Sequence, residues 1–441
     1  MKTARSIIYE LLLKMDGGAY SNIALDAALT ENKLSAADRR FVSRVFYGVI
    51  ERRLTLDHII SEYSTKPADK LDKEVRTVLR MGIYQILFCD SVPESAAVNE
   101  SVKLIRNTKK SGASGFVNGL LRNFLRNSCK YTLPKDRVKA LSVEYSCDPR
   151  IAELLLSGNE EEDVISLLKA SYLSGDITVR INNLKVSADE FKDILEREGC
   201  TVKDCELPLL KGRAAVLENI PCGSPEQLKS FTDGLFHVQD ISSQLCCAVL
   251  DPQENESIVD LCAAPGGKTF TIGEMMKGTG RVYACELHKK RVGLIEKGAE
   301  RLGIGSIVTM QNDGRVYNPS LSGADRVLCD VPCSGLGVFR GKPEIKYKNP
   351  DDFVRLPEIQ YNILDTASRY VKKGGVLVYS TCTVNTAENN AVTDKFLSEH
   401  DEFEGYPFYE EMGEPFGKYS VTVFPRHFGG DGFYICRMRR R

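Results

Sequence analysis

Two cysteines of the chain are candidates for chemistry because each follows, after three or two intervening residues, a short apolar run that predicts a buried strand. Cys333 lies in the segment Asp330–Gly337, and Cys382 lies in Tyr379–Thr383. Parallel strands of an open α/β sheet present their carboxyl ends, where ligands bind, along one edge. A thiol is intrinsically nucleophilic, and nearby cations or helix N-termini lower its pKa. The pair therefore indicates covalent chemistry; a disulfide redox couple is the alternative, which the lack of C-x-x-C spacing disfavours.

A glycine-rich segment, Asp260–Thr269, follows an earlier strand candidate and leads into a helix. Its adjacent glycines let a ligand approach the backbone, and the N–H groups at a helix N-terminus point toward such a ligand. The segment is not a Walker A loop, because Cys262 stands where the leading glycine is required. Glu286, nineteen positions after Gly267, ends the next strand and can accept hydrogen bonds from ribose hydroxyls. Together these features predict a nucleoside-bearing ligand.

A further acid, Asp313, follows the third strand candidate within Asn312–Arg315. A carboxylate there can reach an adenine amino group, although Asn-Asp-Gly is also a common turn sequence. The spacing alone leaves both interpretations open.

Strands and helices that alternate beyond residue 236 predict the element that positions these residues, a doubly wound α/β sheet. The strand candidates are Ile258–Leu261, Val282–Cys285, Ile307–Met310, Arg326–Cys329, Val376–Tyr379, Val421–Phe424 and Phe433–Cys436. Residues 1–140 show helical periodicity throughout, and residues 145–235 mix short strands with a helix. We therefore predict three domains: an all-α domain over 1–140, a small α+β module over 145–235, and an α/β domain over 236–441.

The composition of the 441-residue chain excludes several classes of protein. A hydrophobic content of 42% with 27% charged residues and a net charge of -1 excludes a disordered or collagen-like chain. Residues 1–16 predict an amphipathic helix rather than a signal peptide, so we expect a cytoplasmic protein with no membrane partner. Its fourteen cysteines are then expected to be reduced, and the scattered histidines argue against a metal site.

Basic residues are concentrated near the N-terminus. Residues 1–140 carry 24 Lys and Arg against 15 Asp and Glu, and residues 101–140 contain ten basic residues and one acidic residue. Such a cluster is typical of a polyanion-binding surface, although a solvated helix face is the simpler interpretation. The candidate contacts are Lys103, Arg106, Lys109, Lys110, Arg122 and Arg126.

Several of these segments together resemble a known family. Asp260–Thr269, Asp330–Gly337 and Ser380–Thr383 are similar, in order and spacing, to three motifs of the RNA cytosine-5 methyltransferases, which use S-adenosylmethionine. Leu34–Phe41 and Val117–Asn123 resemble the NusB-type helical RNA-binding domain. The resemblance covers essentially the whole chain and is closest to the bacterial branch that acts on small-subunit rRNA.

The resemblance implies a NusB-like N-terminal domain, a small α+β RNA-methyltransferase module and a Rossmann-like catalytic domain that binds S-adenosylmethionine. The residues it assigns to the cofactor are Cys262, Ala263, Ala264, Pro265, Gly266, Gly267, Lys268, Glu286, Asp313 and Asp330. The sequence departs from the family at Glu286, where the acid is commonly Asp. The longer side chain still accepts two hydroxyl groups.

The resemblance also implies a mechanism. Cys382 would add to C6 of cytosine, Asp330 would hydrogen-bond N3 or the amino group, and Cys333 would assist loss of the C5 proton and release of Cys382. Lys268 is a candidate for lowering a thiol pKa. The target, which the resemblance places at position 967 of 16S rRNA, must be single-stranded or flipped out. We expect a monomer that acts on this rRNA or on an early assembly intermediate, without a metal.

Two other functions remain open on the sequence alone. The chain could be an RNA-binding or antitermination factor whose α/β domain is a catalytically idle ligand sensor, although such a sensor needs no pair of thiols. DNA cytosine methylation is disfavoured, because the enzymes that perform it share only a Pro-Cys nucleophile with this sequence, which carries a second thiol in Thr381-Cys382.

Overall fold

In the computed structural model, the chain is divided into two units. The structure describes residues 3–15, 21–32, 34–173, 176–221, 223–413 and 415–441, without the side chains of 21–23 and 411. One unit comprises Met1–Glu153 and Lys346–Lys348, and the other comprises Leu154–Ile345 and Asn349–Arg441. Residues 1, 2 and 16 of the helix predicted over 1–16 lie outside the described residues.

The described residues of the first unit form helices and connecting loops, in agreement with the predicted periodicity. The helices are α1 (Ala4–Met15), α2 (Ser21–Glu31), α3 (Ala36–Glu51), α4 (Arg53–Glu62), α5 (Lys73–Phe88), α6 (Glu94–Arg106), α7 (Ser114–Arg126) and α8 (Arg137–Tyr145), and α9 (Pro149–Gly158) continues into the second unit. Close packing of α3 on α5 requires Gly48, because a Cβ there would lie 2.0 Å from the Tyr84 ring.

A segment from far along the sequence completes this first unit. The Lys346 ammonium is fully buried and donates to the carbonyl of Tyr145 at 3.0 Å. The Tyr347 hydroxyl donates to the carbonyl of Ile50 at 2.7 Å. These contacts occupy carbonyls near the ends of α3 and α8, and burial lowers the pKa of Lys346 to about 8.

A small antiparallel sheet begins the second unit. Its strands are β1 (Ile177–Ile181), β2 (Thr201–Asp204), β3 (Ala214–Glu218) and β4 (Phe236–Val238), in the order β2-β3-β1-β4, with helices α10 (Glu161–Ala170), α11 (Ala188–Arg197) and α12 (Lys229–Thr232). Strands β2 and β3 are antiparallel neighbours, and Thr201 pairs with Glu218. Strand β4 pairs with β1, although β4 begins one residue beyond the predicted end of the α+β module at residue 235. The three predicted domain ranges stay predictions.

A second sheet of eight strands contains all seven predicted strands. They are β5 (Ser257–Asp260), β6 (Arg281–Glu286), β7 (Ile307–Gln311), β8 (Ala324–Asp330), β9 (Val371–Thr381), β11 (Ser420–Val423) and β12 (Phe433–Arg440), to which the structure adds β10 (Phe403–Gly405). The helices of this region are α13 (Ile241–Leu250), α14 (Gly267–Met275), α15 (Lys289–Leu302), α16 (Leu356–Ser368), α17 (Asn390–Glu399) and α18 (Pro425–Phe428). Short 3-10 helices occur at 68–70, 111–113, 208–210, 225–227, 319–321, 343–347, 350–353 and 410–412.

The strand order of this sheet explains where a ligand can bind. The order is β10-β12-β9-β8-β5-β6-β7, with β11 paired to β12. Strands β9, β8, β5, β6 and β7 are parallel, and β12 runs antiparallel to β9. The chain moves outward from β5 in one direction through β6 and β7 and then crosses to β8 on its other side. The carboxyl ends of β5 and β8 therefore flank the crevice at which such sheets bind ligands.

A buried ion pair joins the small sheet to helix α14. Arg180 on β1 is 1% exposed, and its Nε donates to Oε2 of Glu274 at 2.8 Å. A buried guanidinium without its carboxylate would carry a large desolvation penalty, so the pair fixes the register between the two elements. Helix α14 follows the glycine-rich segment, and the contact therefore helps to position that segment.

Candidate active site

A cavity of about 200 Å³ lies at the carboxyl ends of β5 and β8. Seven of the ten predicted cofactor residues line it, namely Cys262, Ala263, Ala264, Pro265, Gly267, Lys268 and Asp330. Its other lining residues are Val238, Gln239, Asp240, Ser243 and Asp260, which the sequence analysis did not assign to the site. Of these, Asp240 directly precedes α13 and accepts from the amide of Ser242 at 2.8 Å, a helix-capping pattern that the sequence could have revealed.

Gly266 does not line the cavity, but it makes the turn that shapes it. Its φ of +115° is a conformation that side-chain-bearing residues rarely adopt. A Cβ at this position would also lie 2.3 Å from the Phe270 ring. The glycine therefore allows β5 to turn sharply into α14, so that Gly267 and Lys268 face the cavity.

Two buried polar atoms of the cavity wall lack a hydrogen-bond partner among the described residues. Asp260 is 1% exposed; its Oδ2 accepts from Thr269 at 2.6 Å, while its Oδ1 is unpartnered. Gln239 accepts from Thr271 at 2.6 Å through Oε1, while its Nε2 is unpartnered. Burial raises the pKa of Asp260 to about 7. Because such atoms are costly to bury without partners, this wall suits a ligand that brings its own donors and acceptors.

Lys268 and Asp330 form an ion pair beside this wall. The Nζ of Lys268 donates to Oδ2 of Asp330 at 2.8 Å, and the Ser380 hydroxyl donates to Oδ1 at 2.8 Å. Burial alone would lower the pKa of Lys268, but the Asp330 carboxylate outweighs it and the pKa is raised. Both oxygens of Asp330 therefore act as acceptors, which leaves the group able to accept a further hydrogen bond but not to donate one.

The two predicted thiols lie together at this edge of the sheet. The Sγ atoms of Cys333 and Cys382 are 3.2 Å apart. The hydrogen bond from Cys333 lowers the pKa of Cys382, and the cations of Lys268 and Lys342 lower it further, against the effects of burial and of Asp330. The same hydrogen bond and burial raise the pKa of Cys333. The thiolate of the pair is therefore favoured on Cys382 and the proton on Cys333.

The loop that carries Cys333 is held close to the end of β9. The amide of Gly337 donates to the carbonyl of Cys382 at 3.0 Å, and the amide of Gly432 donates to the carbonyl of Gly337 at 2.9 Å. A Cβ at Gly337 would lie 1.8 Å from the Gly432 carbonyl oxygen. Only glycine allows this close approach, which brings the Cys333 loop and Cys382 together.

The remaining two acids assigned to the cofactor do not line the cavity. Glu286 is buried and forms an ion pair with Arg291, whose Nη1 lies 3.2 Å from Oε2. Asp313 accepts from Nη2 of Arg315 at 2.7 Å, and this contact lowers the pKa of Asp313. The sequence placed both acids at strand ends but did not indicate their arginine partners. Their roles toward a ligand stay predictions.

The six basic candidates lie on α6, on α7 and in the connection between them. Lys103, Arg106, Lys109, Arg122 and Arg126 are exposed, and Lys110 is partly exposed. Two of them have acidic neighbours: Lys110 forms an ion pair with Asp72 at 2.9 Å, and Lys103 lies 3.6 Å from Glu100. We call these six residues the basic surface; their binding role stays a prediction.

The described residues contain neither a membrane-spanning helix nor a cluster of metal-ligating side chains. None of the helices there combines the length and apolarity that a bilayer crossing requires. Likewise, no three His, Cys, Asp or Glu side chains of the described ranges group together as metal ligands would.

Each of the two units contains residues that match a known protein family. Residues 247–439 match the family model described as 16S rRNA methyltransferase RsmB/F, and residues 2–126 match the NusB family. A solved structure of a methyltransferase homolog protein from Pyrococcus horikoshii covers 70% of this chain and 100% of its own, with a TM-score of 0.59 and 23% identity. The predicted fold class, a NusB-like helical part followed by an α/β methyltransferase domain, is confirmed.

Two relatives match along the full length of the chain. The probable ribosomal RNA small subunit methyltransferase B of Bacillus subtilis (strain 168) is 35% identical over 100% of this chain and 99% of its own. The protein of the same name from Synechocystis sp. (strain PCC 6803) is 34% identical over 100% of both. The family model over residues 247–439 confirms the predicted methyltransferase class and its cofactor, S-adenosylmethionine. The chain therefore belongs to the ribosomal RNA small subunit methyltransferase B family.

Proposed function

We propose that this protein methylates C5 of one cytosine in small-subunit rRNA with S-adenosylmethionine, through a covalent bond between Cys382 and C6 of the base. The names of its relatives supply the substrate class. The observation that carries the chemistry is the Cys333–Cys382 pair, with its 3.2 Å contact and its oppositely shifted pKa values. The specific target, expected at position 967 of 16S rRNA, must be single-stranded or flipped out to be reached.

The cavity wall fits the cofactor by its chemistry. S-adenosylmethionine, when bound, supplies an electrophilic methyl group. The unpartnered Oδ1 of Asp260 can accept from the ligand, and the unpartnered Nε2 of Gln239 can donate to it. Gly267, at the N-terminus of α14, presents backbone to the same cavity. We assign these three residues, with Cys262 to Pro265, to cofactor binding.

Covalent addition of Cys382 is required in this mechanism because C5 of cytosine is a poor nucleophile. When the thiolate forms a bond to C6, electron density moves to C5, which can then take the methyl group. The ring is restored when C5 loses its proton to solvent water and the C–S bond breaks. The electron pair of that bond returns to Cys382 as the thiolate, which the protonated Cys333 stabilises by hydrogen bonding. A thiol with a lowered pKa is also a better leaving group, so the hydrogen bond from Cys333 favours release as well as attack. Asp330, whose oxygens both accept, is assigned to the amino group of the base.

The proposal is tested by trapping the covalent intermediate. The variant Cys333→Ala, mixed with small-subunit rRNA and S-adenosylmethionine, is expected to accumulate a protein–RNA adduct, because it lacks the group that assists release. A denaturing gel separates this adduct from free protein. Sequencing of the RNA for 5-methylcytosine then checks position 967.

The double variant Cys333→Ala, Cys382→Ala is the matched control and should form no adduct. A wild-type enzyme that methylates the rRNA, combined with a Cys333→Ala variant that forms no adduct, would contradict our assignment of the two thiols. A wild-type protein that binds but methylates neither free rRNA nor rRNA in an assembly intermediate would support the alternative of a catalytically idle binding factor.

The basic surface is proposed to bind rRNA phosphates. Replacing Arg106, Lys109 and Arg126 with Gln should weaken rRNA binding and reduce the slope of log K against log salt by about 3, because each cation that contacts a phosphate releases about one counterion. Filter binding at several salt concentrations measures this slope.

A triple variant of lysines in the second unit controls for the loss of charge. Lys203, Lys229 and Lys372 are exposed and each lies in an ion pair with a neighbouring acid. Replacing all three with Gln removes the same charge and is expected to leave the slope unchanged. Equal slopes for the two triple variants would show that net charge, rather than the basic surface, governs binding.

A further inference from the structure

Glu388, in the segment between β9 and α17, is a fully buried carboxylate with three donors. Its Oε2 accepts from the amide of Ser334 at 2.9 Å and from Nε2 of Gln360 at 2.9 Å. Its Oε1 accepts from Nδ2 of Asn385 at 2.9 Å. Since every partner is a donor, the ionised form of the carboxyl matches this environment.

These hydrogen bonds hold the backbone on both sides of Cys333. Ser334 follows the cysteine directly, and Gln360 also donates to the carbonyl of Pro332, which precedes it, at 3.0 Å. The backbone of Glu388 is itself fixed to β9, because the Tyr379 hydroxyl donates to its carbonyl at 2.6 Å. Glu388 thus links the loop of Cys333 to strand β9, which ends at Thr381, directly before Cys382.

The charges around the two thiols are asymmetric. On the side of Cys333, the negative charge of Glu388 adds to the hydrogen bond and burial that raise the pKa of that thiol. Toward Cys382, the ammonium groups of Lys268 and Lys342 favour the thiolate, while Asp330 opposes it. Asp431 also faces Cys382, and burial raises the pKa of Asp431 to about 8. A neutral Asp431 adds little negative charge beside the thiolate at neutral pH.

We propose that Glu388 is a positioning residue that fixes the Cys333 loop and, through its buried charge, keeps the shared proton on Cys333 and the thiolate on Cys382. This inference rests on the proposed function, in which Cys382 attacks the base. It explains how two neighbouring thiols take different roles: the Glu388 carboxylate acts on Cys333, while at Cys382 the ammonium groups of Lys268 and Lys342 counteract the Asp330 carboxylate.

The test measures which thiol is the more reactive in the protein alone. Wild-type protein and Glu388→Gln are treated briefly with iodoacetamide, without RNA or cofactor, and the alkylated fractions of Cys382 and Cys333 are compared by peptide mass spectrometry. Wild-type protein should react mainly at Cys382. Removing the charge in Glu388→Gln should lower the ratio of Cys382 to Cys333 alkylation by about tenfold, the change that corresponds to one pKa unit.

Gln360→Met is the matched control, because it removes two hydrogen bonds from the same site and keeps the charge of Glu388. Its alkylation ratio should stay within about twofold of the wild-type ratio. A ratio that is unchanged in Glu388→Gln, or that changes equally in both variants, would overturn the role of the charge. If Glu388→Gln does not fold, Glu388→Asp serves instead, since it withdraws the charge from Cys333 by one methylene and should shift the ratio partly in the same direction.

The labelling test and the adduct test distinguish a failure of the role of Glu388 from a failure of the proposed function. A protein that forms the adduct in Cys333→Ala but keeps its labelling ratio in Glu388→Gln would contradict the role of Glu388 alone. A protein whose labelling ratio shifts but whose Cys333→Ala variant forms no adduct would contradict the proposed function, while the polarised thiol pair would stand.

Discussion

Replacing Cys382 with Ala is expected to lower the rate of rRNA methylation by a factor on the order of 10⁴ or more, the scale of loss seen when an enzyme's covalent nucleophile is removed. The reason is that no other group then activates C5 of the cytosine. Transfer of labelled methyl groups from S-adenosylmethionine to rRNA in single turnovers measures the effect. Because the pKa of Cys382 is lowered, the wild-type enzyme should also keep its activity at a lower pH than an ordinary thiol would allow.

Cys129→Ala is the matched control for this prediction. Cys129 is a free, partly buried thiol of the first unit, and burial raises its pKa. The same side-chain change there should leave the rate within about twofold of wild type, because it removes neither thiol of the Cys333–Cys382 pair. If Cys382→Ala retained more than about a tenth of the wild-type rate, covalent catalysis by this residue would be excluded.

The edge of the sheet was predictable because its residues follow strands that apolar periodicity reveals. Asp260, Asp330 and Cys382 each lie at or just after the end of such a run, and Gly266 marks the turn into α14. The order of strands could not be read from the runs themselves, but the doubly wound pattern already implied one shared edge. Cys333 and Cys382 are in contact because both lie at that shared edge.

Residues that reach the site from other elements were not predictable in this way. Gln239 and Asp240 lie before α13 and follow β4, whose three residues are too few to show a period. Glu388 is buried because Ser334, Gln360 and Asn385 donate to it, and a glutamate in a polar loop gives no sign of such partners. These contacts depend on tertiary structure, which sequence periodicity does not encode.

The same limit applies to charge pairing. Sequence spacing placed Glu286 at the end of β6 and Asp313 after β7, where ligand-binding acids are expected. It did not reveal their ion pairs with Arg291 and Arg315. It also could not show that Lys346, far from the helical domain in sequence, packs within the first unit. Both cases involve long polar side chains, whose partners are chosen by geometry rather than by hydrophobic pattern.

Lys268→Met is expected to destabilise the protein and to impair catalysis through one broken contact. The substitution leaves the Asp330 carboxylate, which is three-quarters buried, without its cation. This should lower the free energy of unfolding by about 3 kcal/mol, the low end for breaking a buried pair. Since the pKa of Lys268 is raised in the folded protein, its contribution is fully present at neutral pH and is lost only when the pH rises through that raised value. Urea denaturation at pH 7 measures the loss.

The same variant should move the pH dependence of thiol reactivity. Lys268 lowers the pKa of Cys382, so its removal should shift the acidic limb of Cys382 alkylation to higher pH. Lys277→Met is the control, because Lys277 forms an exposed ion pair with Glu254 at 2.6 Å, and exposed pairs contribute only about 0–1 kcal/mol. If the Lys268→Met variant is less stable but the pH dependence of Cys382 alkylation is unchanged, Lys268 stabilises only the Asp330 carboxylate. If the acidic limb of that pH dependence moves to higher pH, one buried cation stabilises both the carboxylate and the Cys382 thiolate.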